Sequence, residues 1–68
     1  MNFQTRLKEL RKDGSVTQKA LAAAIVTTSN CIGFWKNGRS EPSISEIIAL
    51  AKYFGVTTDY LLGIADLY

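Results

Sequence analysis

The run Thr28-Ser29-Asn30-Cys31-Ile32-Gly33-Phe34-Trp35-Lys36-Asn37-Gly38-Arg39 carries the side chains with the most recognition chemistry. On a helix turning about 100° per residue, Ser29, Gly33, Asn30 and Phe34 fall on one arc, and Ile32 and Trp35 fall roughly opposite. The first group is therefore expected outside and the second in the core. A carboxamide such as Asn30 donates and accepts at once, the pattern that pairs bidentately with adenine. A serine hydroxyl bonds to either kind of base pair, and a ring such as Phe34 can meet a thymine methyl. Gly33 lets a helix approach a groove floor closely. A large ring on a purely solvated face is disfavoured, so the exposed position of Phe34 points to a partner surface.

Bond-breaking chemistry has no comparable set. The chain has no histidine, no paired carboxylates beside a nucleophile and no glycine-rich phosphate loop. A catalytic role is therefore not expected, nor any cofactor or small-molecule substrate. Cys31 is the lone cysteine, which with no histidine excludes the usual Cys/His zinc sites, so no metal is expected. Its free thiol fits a reducing cytosol. It falls between the two faces of this helix, where it reads as a small filler against the preceding helix rather than as a redox sensor.

The elements that must position this helix follow from period and punctuation, and all are helical. Phe3, Leu7 and Leu10 share one face of a first helix, with the basic residues on other faces and Gly14 as its stop. Thr17 caps a second helix, Gln18 to Ile25, with Leu21, Ala22 and Ile25 inward. Val26-Thr27 makes the turn, Thr28 caps a third helix to about Asn37, and Gly38 ends it. Ser43 and Glu46 form a capping box that opens a fourth helix to Phe54, whose apolar face is Ile44, Ile47, Ile48, Ala51 and Phe54. Gly55 stops it. Thr57 or Thr58 caps a short fifth helix to Leu62, before Gly63.

The 68 residues suit one small domain over residues 1–68, with no linker, repeat or low-complexity segment. No basic-then-apolar leader opens the chain. The uncharged run from Ala20 to Trp35 is broken by Thr27, Thr28, Ser29 and Asn30, so it is no membrane span. The net charge of +2 is unevenly spread. Residues 1–40 hold seven cations against two carboxylates, and residues 41–68 hold one against four. One half of the domain suits a polyanion.

The chain resembles the Cro/C1-type helix-turn-helix domains of phage repressors and related bacterial regulators, the XRE family. The resemblance rests on Arg6-Leu7-Lys8-Glu9-Leu10-Arg11, Thr17-Gln18 with Leu21-Ala22, Ile32 with Trp35 and Asn37-Gly38, Glu41-Pro42-Ser43, Leu50-Ala51, Phe54-Gly55-Val56 and Asp59-Tyr60-Leu61-Leu62-Gly63. It covers nearly the whole chain. It implies an all-α, five-helix, lambda-repressor-like domain that binds a double-stranded operator as a homodimer in the bacterial cytoplasm. It also implies roles by position. Ser29, Asn30, Gly33 and Phe34 match base-reading positions. Gln18 matches a glutamine that holds a phosphate and supports the reading helix, with Thr17 beside it. Thr28 matches a phosphate-contacting cap, and Asn37 and Arg39 match backbone contacts after the reading helix.

Three departures from the family pattern carry expectations. Val26 stands where a turn glycine is usual, so a β-branched residue meets a position suited to positive φ. The first-loop glycine comes one position early, at Gly14, with Ser15 following. Lys36 replaces the glutamate that commonly pairs with the arginine matching Arg11, so two cations meet there, and either both turn toward phosphate or Lys36 finds Glu41 or Asp13. Two readings result: a DNA-binding repressor, or a protein-interaction module using Phe34, Leu67 and Tyr68. Salt separates them, since only the first weakens steeply with ionic strength.

Overall fold

The computed structural model describes residues 2–66, so Leu67 and Tyr68 lie outside the described residues. Five helices follow one another: α1 (Phe3–Asp13), α2 (Gln18–Ala24), α3 (Ser29–Lys36), α4 (Ile44–Phe54) and α5 (Thr58–Leu61). Each of α2, α3 and α5 stops one residue before the end expected from sequence, with Ile25, Asn37 and Leu62 as C-caps.

Every helix starts at a residue whose side-chain oxygen accepts an orphan amide. Asn2, Thr17, Thr28, Ser43 and Thr57 accept from Thr5, Ala20, Cys31, Glu46 and Tyr60, at 2.9 to 3.2 Å. Such caps stabilise by about 1 kcal/mol each, and they set the helix starts locally. Thr57, not Thr58, caps α5. At α4 the box is reciprocal: the Ser43 amide donates to Glu46 Oε1 at 2.8 Å. That amide holds the Glu46 carboxyl below the usual carboxylate range.

The helices close around Leu7, Leu21, Ala22, Ile25, Ile32, Trp35, Leu50, Ala51 and Leu61. α3 packs on α2 and α1, and α5 packs on α4 and α1. The α4 face differs from the sequence expectation. Ile44 is 81% exposed and Ile48 is 43% exposed, whereas Leu50 is fully buried and Ile47 and Phe54 are half-buried. α4 carries apolar residues nearly all round, so its period alone does not select a face. The position of its neighbours selects it.

Arg6 is a second correction. It lies inside, 4% exposed, with its guanidinium carbon 3.6 Å from the centroid of the Tyr60 ring. The stem of an arginine packs as an apolar chain and its planar head stacks on an aromatic face. Arg6 thus ties α1 to α5, and the basic residues of α1 do not all face outward.

Among the described residues, two that are not glycine hold left-handed backbone, Ser15 at φ +55° and Val26 at φ +59°. Gly14 itself sits at φ −91°, so the left-handed position after α1 falls to the serine. Val26 is the costlier case, because its branched Cβ crowds the following carbonyl. It is also 92% exposed, so little packing offsets that cost. Val26→Gly is expected to stabilise the domain by about 1 kcal/mol, a rise in Tm of about 5 °C. Thermal denaturation followed by circular dichroism reads this directly. An unchanged or lower Tm would mean that the turn tolerates valine at no cost.

Candidate nucleic-acid interface

α3 is anchored from behind. Ile32 is fully buried and Trp35 is 2% exposed, with the Trp35 ring edge-on to Phe3 at 6.5 Å between centroids. That contact fixes which side of α3 remains outside. Ser29, Asn30 and Phe34 are exposed on it, and Gly33 is half-buried between them. A Cβ built on Gly33 meets nothing within 4 Å. The fold therefore does not require glycine there. The space over Gly33 is open. Eight helical residues span about 12 Å, close to the width of a DNA major groove.

The ends of α3 carry the remaining polar groups. At the start, Thr28 Oγ1 accepts from the Cys31 amide at 3.2 Å. Hydrogen bonds from the Thr28 and Thr27 hydroxyls hold the half-buried Cys31 thiol below its ordinary pKa. Cys31 packs at the edge of the core, as a small filler does. At the other end, Gly38 takes φ +73° and lets the chain fold back. The amides of Arg39 and Ser40 both donate to the Phe34 carbonyl, at 2.9 and 3.4 Å. Arg39 consequently places its guanidinium carbon 5.4 Å from the Phe34 ring centroid. One residue from each expected class, base-reading and phosphate-contacting, is thereby joined in one contact. Asn37 is exposed at the C-cap of α3.

Thr17 and Gln18 belong to another element, the start of α2. Thr17 is exposed and its hydroxyl oxygen caps the helix through Ala20, while Gln18 is half-buried. Thr17 also lines a concavity with Lys8, Arg11, Lys12, Ser15, Val16 and Lys36. Lys36 and Arg11 therefore line the same space, and neither Asp13 nor Glu41 does. The sequence reading named the Lys36–Arg11 encounter but not the cations that join it. The spacing of Lys8, Arg11 and Lys12 on one helix was the available signal.

Among the described residues, no group of three His, Cys, Asp or Glu side chains is placed to hold a metal ion. No described helix is long and apolar enough to cross a membrane.

Comparisons with known proteins agree with this fold. Residues 7–61 match the profile of a family described as helix-turn-helix. The chain is 32% identical over 63 residues to the HTH-type transcriptional activator BcrR of Enterococcus faecalis, covering 93% of this chain and 31% of that protein. It is likewise 32% identical over 63 residues to the HTH-type transcriptional regulator ImmR of Bacillus subtilis strain 168, covering 93% of this chain and 50% of that one. The chain thus spans 31% of the length of one of these relatives and 50% of the other. Among solved structures, it superposes on the P22 c2 repressor protein in complex with a synthetic operator, with a TM-score of 0.87 and 26% identity. That alignment covers 96% of this chain and 98% of the other.

Proposed function

The chain belongs to the helix-turn-helix family, and from that premise we propose that it is a DNA-binding transcriptional regulator of the phage-repressor type, reading an operator with α3. The observation that carries this is the outward face of α3. Ser29, Asn30 and Phe34 are exposed with open space over Gly33, opposite a fully seated Ile32 and Trp35. In this reading Asn30 pairs with a base edge, Ser29 bonds to an adjacent base, and Phe34 meets a thymine methyl. Thr17, Gln18, Thr28, Asn37 and Arg39 hold backbone phosphates on either side, which sets the register of the helix in the groove. The protein acts by binding rather than catalysis, in the cytoplasm where the operator is.

One helix of eight residues reads too few base pairs to select a genomic site alone. We therefore assign binding to a two-fold dimer on a near-palindromic operator, with half-site centres one helical turn, about 34 Å, apart. Apolar side chains stand exposed on and around α4 and α5, at Ile44, Ile48, Tyr53, Leu62 and Ile64. They supply the surface for that contact. The same exposed residues, with Phe34, are what a protein-interaction module would use, and salt separates the two readings.

The test is a selection of bound duplexes from a random pool, then footprinting of the winner across a range of salt. Two symmetric protected half-sites and a steep loss of affinity with rising salt are expected. Protection of one asymmetric half-site at saturation would remove the dimer. Salt-independent binding to a protein partner with no selected sequence would favour the interaction module.

A further inference from the structure

One concavity of about 360 Å³ is lined by basic side chains drawn from separate parts of the chain. Lys8, Arg11 and Lys12 come from α1, and Lys36 from the last position of α3. Ser15 and Thr17 add hydroxyls, and no acidic side chain lines the space. Its size falls within the range of about 300–1,000 Å³ typical of small-ligand clefts. Residues three and four apart share a helix face, so α1 by itself presents Lys8, Arg11 and Lys12 together. Lys36 joins them only because α3 packs on α1.

Four like charges around one small space repel one another, and an entering anion relieves that repulsion. The donors are of the right kinds. Arg11 Nε donates to the Val16 carbonyl at 3.2 Å, which holds the guanidinium at the wall. A guanidinium has five N–H donors in a rigid fork that matches phosphate, so four remain for a ligand. Lysines add mobile point charges. These groups outnumber what a single carboxylate needs, and they suit an anion with several oxygens.

We propose that this concavity is a phosphate site, in which Arg11 and Lys36 hold a phosphoryl group with Lys8 and Lys12 at its sides. Two sources present that chemistry: a DNA backbone phosphate, or a free oligophosphate. The first source rests on the operator reading above, and the second does not.

Inorganic triphosphate and duplex DNA are the two probes, applied to the full chain. Triphosphate in low salt should raise Tm, and Lys36→Glu should remove most of that rise. Lys52→Glu makes the same charge change on α4, outside the concavity, and should retain it. Lys36 is exposed, and Lys36→Gln serves as the milder variant. If DNA backbone fills the site, Lys36→Gln should lower the slope of log affinity against log salt by about one unit, on selected and random duplexes alike. That slope loss without a triphosphate response assigns the site to DNA alone. A Lys36-dependent triphosphate response with an unchanged slope assigns it to a free oligophosphate. If no duplex binds yet the Lys36-dependent response remains, the operator reading fails and the phosphate site stands. The absence of both a triphosphate response and a slope change on Lys36 substitution overturns the proposal. So does a triphosphate response that Lys52→Glu removes equally.

Discussion

Leu50→Ala should lower the unfolding free energy by about 2–5 kcal/mol, and Ile44→Ala on the same helix should change it by only about 0.5 kcal/mol. Leu50 is fully buried and Ile44 is 81% exposed, so the first substitution opens a cavity and the second removes little from the core. The consequence is large for a chain of this size. At roughly 0.05–0.15 kcal/mol per residue, a 68-residue domain has a stability of about 3–10 kcal/mol. Leu50→Ala therefore leaves a substantial unfolded population. Urea denaturation of the two variants, with equal m-values, measures the contrast. An Ile44→Ala protein as destabilised as Leu50→Ala would place the buried face of α4 on the wrong side.

Substitutions on α3 should separate binding from folding. Asn30→Ala is expected to cost about 1–3 kcal/mol at one base pair, and to flatten the preference there. Gly33→Ala should go further in dissociating the two properties. Alanine is favoured over glycine inside a helix by about 0.8–1.0 kcal/mol, so stability should rise. Its Cβ meets nothing in the protein within 4 Å. If α3 enters the groove as proposed, the same methyl would occupy the space between helix and groove floor, so operator affinity should fall. Arg39→Ala is expected to weaken selected and random duplexes by a similar factor and to reduce the salt slope by about one unit. Fluorescence anisotropy with a selected and a scrambled duplex, at several salt concentrations, reads all three. Equal weakening of both duplexes by Asn30→Ala would remove its base-reading role. A stabilised Gly33→Ala protein with undiminished operator affinity would mean that another face meets the DNA.

The features legible in sequence were those set within a few residues. Thr17, Thr28 and Ser43 were readable as caps because the amide each one accepts lies three residues ahead. The two faces of α3 were readable because helical period alone places Ile32 and Trp35 opposite Asn30 and Phe34, and the burial of the first pair agrees. The left-handed backbone at Val26 was foreseeable only from the family resemblance, which implies a glycine at that turn position; the φ of +59° agrees with it.

What sequence did not reveal depends on residues far apart in the chain. Arg6 looked like any cation of an amphipathic helix, and it is buried because Tyr60, more than fifty positions later, offers its ring. Leu50 and Ile44 are equally apolar. Packing of α4 against α5 buries one and leaves the other in solvent. The left-handed residue after α1 is Ser15 rather than Gly14, since the route of the chain into α2 sets where the backbone must turn. Lys36 comes to line the same concavity as Arg11 through the docking of α3 on α1. Caps and helical period are local and additive, so the order of residues determined them for this protein. Which apolar face is buried, which cation is enclosed and which charges meet depend on the docking of whole helices, and only the tertiary structure decided them.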